Sequence, residues 1–301
     1  MSTVLRLFVM GLLLAACDVN GSLTSKSAND APASLERLAE NGQLHPRATA
    51  GATTALSAEQ QRLLDASRAI SDGVTFSQVD DFNVQYSELV DYLDRANLPV
   101  QITQVDLNTH RKISQYYDID SSLAGYGKNA CGLVAAAAAM GGDNWQPLIA
   151  VIALAAGDHY QATSGIQPSN FVAALGQALI TTTVRAQDAG SLGQLYLELA
   201  AGNIVIVDVK LNDAQGVPSA SPPNLAHFAR VLGLDVDRQV IYLENTVGGD
   251  SYWTVTLTDF WATWQHPETS ASLILDPRHV EDVTRWAVVI SGELVMAKRS
   301  R

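Results

Sequence analysis

Apolar positions along this chain fall into three regimes. Leu7 to Ala16 is an unbroken run of ten apolar or small residues. From residue 57 to about 201 apolar residues recur mainly at helical spacing, and from 204 onward they gather into short β-branched, aromatic or alternating stretches. In the helical regime, Ser57-Ala-Glu-Gln60 reads as a capping box, and Leu63, Ala66 and Ile70 continue one face. A second helix is expected from Ser87 to Ala96, stopped by Asn97-Leu-Pro99, and Val100 to Val105 then alternates like a strand. Residues 131–141 and 145–156 predict buried helices, and 167–179 and 190–201 capped amphipathic ones. Strands are expected at 204–210, 227–233, 240–243 and 253–257, separated by Gly, Pro, Asn and Asp turns. Strands that follow one another through short turns pair antiparallel, so the fold class is α+β, a helical half followed by a strand half.

The first apolar run changes the picture of the N-terminus. Ten residues are too few to span a bilayer core of roughly 30 Å, so 1–16 read as a signal peptide. Its end, Leu14-Ala-Ala-Cys17, resembles the bacterial lipobox, which makes Cys17 the lipidated first residue of the mature chain and implies a membrane anchor of several acyl chains. Asp18 resembles the signal that retains lipoproteins in the inner membrane of two-membrane bacteria, facing the periplasm. Residues 17–55, rich in Ser, Ala, Asn, Gly and Thr, form a flexible tether. Residues 56–107 are a helical extension, 108–290 one enzyme-sized domain, and 291–301 a tail.

Charge and cysteine count narrow the chemistry. Taking Arg6 from the 19 basic residues leaves 18 against 31 acidic ones, a formal −13 that disfavours nucleic acid as a partner. Of the two cysteines, Cys17 belongs to the anchor, which leaves Cys131 without an intrachain disulfide partner. Cys131 opens the run Cys-Gly-Leu-Val-Ala-Ala-Ala-Ala-Ala-Met140, and the N-terminus of a helix favours a thiolate, so a lowered pKa and a nucleophile are expected there. A buried, inert small hydrophobe is the alternative. Among the six histidines His45, His266 and His279 sit in tether, loop or charged sequence, His110 and His159 in polar loops, and His227 alone opens an apolar strand. If the strands beginning at 227 and 240 are antiparallel neighbours joined through Asp235-Val-Asp-Arg238, Asn245 arrives beside His227 and can fix its tautomer. No zinc-ligand spacing and no phosphate-binding glycine loop is present, so no metal or cofactor is expected.

Taken in order, Ile113-Ser-Gln-Tyr-Tyr117, Ala130-Cys-Gly132, Ala201-Gly202 before an apolar strand, His227-Phe with Gly233, Tyr242-Leu-Glu-Asn245 and Val255 to Trp264 resemble the papain-like cysteine peptidases of the bacteriocin-processing, C39-like type. The resemblance covers roughly 108–268. It implies a papain-like fold in which a helical half carrying the cysteine packs on an antiparallel sheet carrying the histidine and asparagine. It also implies Cys131 as nucleophile, His227 as general base and acid, Asn245 as orienting residue, and Gln115 as oxyanion donor beside the backbone N–H of Cys131. The chain departs from the pattern at Leu133, where relatives often have Pro, at Asn245-Thr246, where Asp-Pro is common, and in the 16 residues between Gln115 and Cys131. The expected activity is peptide-bond hydrolysis through an acyl-enzyme on a peptide or protein substrate. A cell-wall peptide amidase or acyltransferase, and a non-catalytic envelope adaptor, are the alternatives.

Overall fold

The computed structural model describes residues 57–114, 129–141, 145–161, 165–178, 183–187, 190–212, 217–219, 224–264 and 285–291. The signal peptide, Cys17, Asp18, the tether, His45, Gln115, His266, His279 and the tail from 292 lie outside the described residues.

The N-terminal helices form where their caps dictate. In α1 (Ala58–Ser71) the Ser57 hydroxyl accepts from Gln60 N at 3.1 Å while Ser57 N donates to Gln60 Oε1 at 2.9 Å, the reciprocal capping box read in the sequence. Helix α2 spans Phe82–Ala96 and starts five residues ahead of the expected Ser87, because Asp81 Oδ1 accepts from Asn83 N and caps it there. It ends at Asn97, whose φ of 50° is left-handed, just before Pro99. Strand β1 (Gln101–Thr103) follows.

Helices α3 (Cys131–Gly141), α4 (Gln146–Ala156), α5 (Pro168–Ala178) and α6 (Leu192–Ala200) fall close to their expected places. Strands β2 (Tyr160–Gln161) and β3 (Gly165–Ile166) form a small hairpin. The main sheet is built from β4 (Thr183–Gln187), β5 (Ile204–Asn212), β6 (Val217–Pro218), β7 (Asn224–Asp235), β8 (Val240–Glu244), β9 (Tyr252–Thr256) and β10 (Ala287–Ser291), with helix α7 (Leu257–Thr263) after β9. Its order is β4-β10-β5-β7-β8-β9, with β1 on β7 and β6 on β5, and all these pairs are antiparallel. The architecture is therefore α+β. Strands β7 and β8 are neighbours through the turn at 236–239, as the sequence implied. Among the described residues no helix is long and apolar enough to cross a membrane.

Strand alternation divides the core into two layers. Ile204, Ile206, Phe228, Val288 and Ile290 face α3, α4 and α5, a layer dominated by Leu133, the alanines of α3, Ile149, Ile152 and Phe171. Val205, Val207, Val209, Ala229, Val231, Ile241 and Leu243 face the other way, onto α1, α2, α6 and α7. Helix α6 thus leaves the expected helical half: its small and apolar residues are needed on both sides to bridge the sheet and the N-terminal helices, and it is buried almost all round.

The extension is stitched into this second layer. Tyr86 Oη donates to Val236 O at 3.0 Å, Tyr196 Oη to Pro99 O at 2.6 Å, and Arg285 pairs with Asp80 at 2.5 Å. Gln85, 1% exposed, donates to Ser77 O and Val79 O and accepts from Leu192 N. Phe76 lies flat over Gly193 of α6, where an added Cβ would stand 2.2 Å from its ring. Gly193→Ala is accordingly expected to cost about 1–3 kcal/mol by overpacking, read as a fall of several degrees in thermal midpoint. An unchanged midpoint would mean that Phe76 does not rest on α6.

Candidate active site

The first helical hydrogen bond of α3, Val134 N to Ala130 O at 2.8 Å, makes Cys131 the first residue of the helix. Gly132 lets this end approach β7: a Cβ there would meet Phe228 Cδ2 at 3.0 Å and Phe171 Cζ at 3.4 Å. Cys131 stays half-buried, and its sulfur lies by the backbone N–H of Phe228, which lowers the cost of charging it.

The Phe228 amide is available for a simple topological reason. Opposite Phe228 stands Asp208, whose N–H is turned toward Trp286 O, so the pair exchanges no hydrogen bonds and Phe228 N–H points to the other edge of β7. Strand β8 has ended at Glu244 by then, and the sulfur takes the place of a strand partner.

Burial outweighs the helix terminus here. Enclosure pushes the Cys131 thiol up to about 11, the backbone N–H of Phe228 only partly opposes it, and the buried Asp208 carboxylate adds to the rise. The lowered pKa expected from the helix N-terminus is thus reversed, because that expectation counted the dipole and left out desolvation.

His227 is 3% exposed and follows the opposite alternation: its partner Val209 belongs to the second layer, and its ring meets Trp253 edge-on at 5.6 Å. Burial lowers its pKa to about 4, so the ring is neutral near pH 7. The sulfur lies at the edge of β7 and the imidazole on the face toward Trp253, one residue apart along the strand. Along the chain one hydrogen bond and two covalent bonds separate the sulfur from His227 Cα, a path of about 6 Å at most. No hydrogen bond joins the two side chains among the described residues.

Asn245, 3% exposed, sits at the end of β8, and its side chain is engaged by its own turn. Oδ1 accepts from Val247 N at 2.9 Å and Gly248 N at 3.3 Å, while Nδ2 donates to Gly248 O at 2.8 Å. The expected contact with His227 is therefore not made by Asn245. The group at the imidazole is its neighbour Thr246, fully buried, with Oγ1 3.4 Å from His227 Nε2. Thr246 is not legible from the family pattern, which sets Asp or Asn at the orienting position. The signal was the turn sequence Asn245-Thr-Val-Gly-Gly249, in which an Asx residue bonds its own backbone.

The other histidines differ in environment. His159 is exposed in the short 3-10 turn after α4. His110 Nε2 lies 3.2 Å from Glu244 Oε1, and Glu244, 1% exposed, falls on the α3 face of the sheet opposite its neighbour Leu243. Gln115, the expected oxyanion donor, follows the described Ser114 directly but is itself outside the described residues.

No protein-family model matches the sequence, and no curated protein matches it. Among solved structures, a chain described as "putative C39-like peptidase from Bacillus anthracis" aligns with 10% identity and a TM-score of 0.39, over 64% of this chain and 97% of that one.

Proposed function

We propose that this chain is a papain-like cysteine peptidase, with Cys131 as nucleophile and His227 as general base and acid. The observation that carries this reading is the capture of the Phe228 amide by the Cys131 sulfur, which brings a thiol at a helix start to the residue next to a buried histidine. In the reaction the Cys131 sulfur attacks a peptide carbonyl carbon while His227 Nδ1 takes the thiol proton. The Cys131 N–H and the Gln115 side chain hold the oxyanion. The C–N bond then breaks as His227 returns its proton to the leaving amine, and water hydrolyses the thioester to the acid and free thiol. The anchor on Cys17 would hold the enzyme at the membrane surface, on the periplasmic side in a two-membrane cell, with a peptide or protein as substrate.

Burial raises the Cys131 thiol and lowers the His227 imidazole, which favours a resting thiol and a neutral ring with the proton moving during attack. Alkylation by iodoacetamide, in a Cys17→Ser background where Cys131 is the remaining thiol, should therefore rise about tenfold per pH unit through pH 9 and level off near 11. A plateau below pH 8 would show a preformed thiolate instead. The peptidase reading itself is tested by mass spectrometry after mixing with an activated acyl ester: an acyl adduct on Cys131 that forms and turns over supports it. A thiol that alkylates yet never acylates would identify a non-catalytic module.

A further inference from the structure

We propose that Thr246 is the positioning residue of His227, its hydroxyl accepting Nε2–H and so leaving the lone pair on Nδ1 to act as the base. This inference rests on the catalytic reading above. Four observations converge on it. The imidazole is 97% enclosed by the fold, being 3% exposed, so a ring N–H there needs a protein partner. Thr246 is fully buried and its Oγ1 is the polar atom the structure sets at Nε2. Asn245, which the strand arrangement brings to the same end of β8, spends its Oδ1 and Nδ2 on Val247 and Gly248. Trp253, edge-on to the ring, covers the same side of the sheet and keeps the pair dry, where a hydroxyl contact counts for more than in water.

The division of labour follows from the turn. Asn245 N donates to Ser251 O, and the two amides held by Asn245 Oδ1 bend the chain through Gly248 and Gly249, whose φ values of 121° and 94° only glycine takes without strain. That bend carries Thr246 over His227. Asn245 shapes the loop, and Thr246 meets the ring. A neutral hydroxyl fixes the tautomer as an amide oxygen does, and like it adds no negative charge, consistent with a ring that burial keeps neutral until the thiol proton arrives.

The imidazole itself reports the outcome. Long-range proton–nitrogen NMR of the full chain at pH 7 should show His227 as the Nε2–H tautomer; the Nδ1–H tautomer in the wild type would overturn the proposal without any variant. Thr246→Val should then shift the ring toward a tautomer mixture, and Thr246→Ser should restore the wild-type pattern. Thr246→Ala, smaller than the native side chain, gives the same comparison if the valine variant does not fold. A hydroxyl-free variant that folds and keeps the wild-type tautomer would also overturn it. In turnover, Thr246→Val should lose about tenfold in kcat with KM unchanged. Absence of any acylation in the wild type would count against the peptidase reading and leave the tautomer result standing on its own.

Discussion

A chain lacking residues 18–107 should fail to fold, collecting as insoluble protein or showing no cooperative thermal transition. The extension supplies Ala66, Ala69, Leu89, Leu93 and Ile102 to the core, all at most 9% exposed, and covers α6 and the face of β5 and β7 that would otherwise meet water. Each large apolar side chain removed in this way costs about 2–5 kcal/mol, so the loss of Leu89 and Leu93 alone approaches the stability of a typical domain. Strand β1 also closes the edge of β7, pairing Gln101, Ile102 and Thr103 with Asp235, Leu234 and Gly233. Its departure would expose unpaired backbone along a hydrophobic strand, a direct route to aggregation. The contacts of the extension with Leu192, Val236, Tyr196 and Arg285 all lie on the second layer, away from the α3 layer that carries Cys131. A soluble, cooperatively melting product would show that the extension is dispensable; faster alkylation of Cys131 in that product would mark it as an inhibitory segment.

How far the sequence led depended on whether local chemistry or tertiary context set each element. Helices α1, α3, α4 and α5 and strands β5, β7, β8 and β9 were legible because caps, alanine runs and β-branched stretches act within a few residues. The strand Ala287–Ser291 is not legible although it lies inside the sheet, between β4 and β5, because its partners are some 80 to 108 positions away and nothing in Ala-Val-Val-Ile-Ser announces them. Helix α7 is legible only as part of the family-like stretch, although Thr256 caps it by accepting from Asp259 N at 3.0 Å. In the candidate site, Cys131 does open its helix as read, but His227 lies inside β7, which begins at Asn224, because Asn224 to Ala226 extend the pairing with β5 beyond the apolar run. The electrostatics did not follow, since the burial of Cys131 and His227 is a property of packing and reverses what the helix terminus alone implies. The role of Thr246 was hidden for a similar reason: the turn that presents it is legible, but the direction of its hydroxyl is set by where β8 stops.

Replacing His227 by alanine should reduce acylation of Cys131 by about a thousandfold or more, the range in which a general base contributes. With the thiol raised to about 11 by burial, little thiolate exists near pH 7, so the reaction depends on a base more heavily than in a site holding a preformed ion pair. Residual acylation of His227→Ala should accordingly climb with pH as the thiolate appears, whereas the wild type should already be active at pH 7. Asn245→Ala should behave differently. Its three side-chain hydrogen bonds shape the turn 245–249, so the loss of about 1–3 kcal/mol falls on stability, and the folded fraction should keep most of its acylation rate. The two variants are separated by measuring the thermal midpoint and the single-turnover acylation rate on the same samples. Wild-type acylation in His227→Ala would remove His227 from the mechanism and make His110, whose Nε2 lies 3.2 Å from Glu244 Oε1, the next base to test. A collapse of the acylation rate in Asn245→Ala at an unchanged midpoint would instead return the orienting role to Asn245.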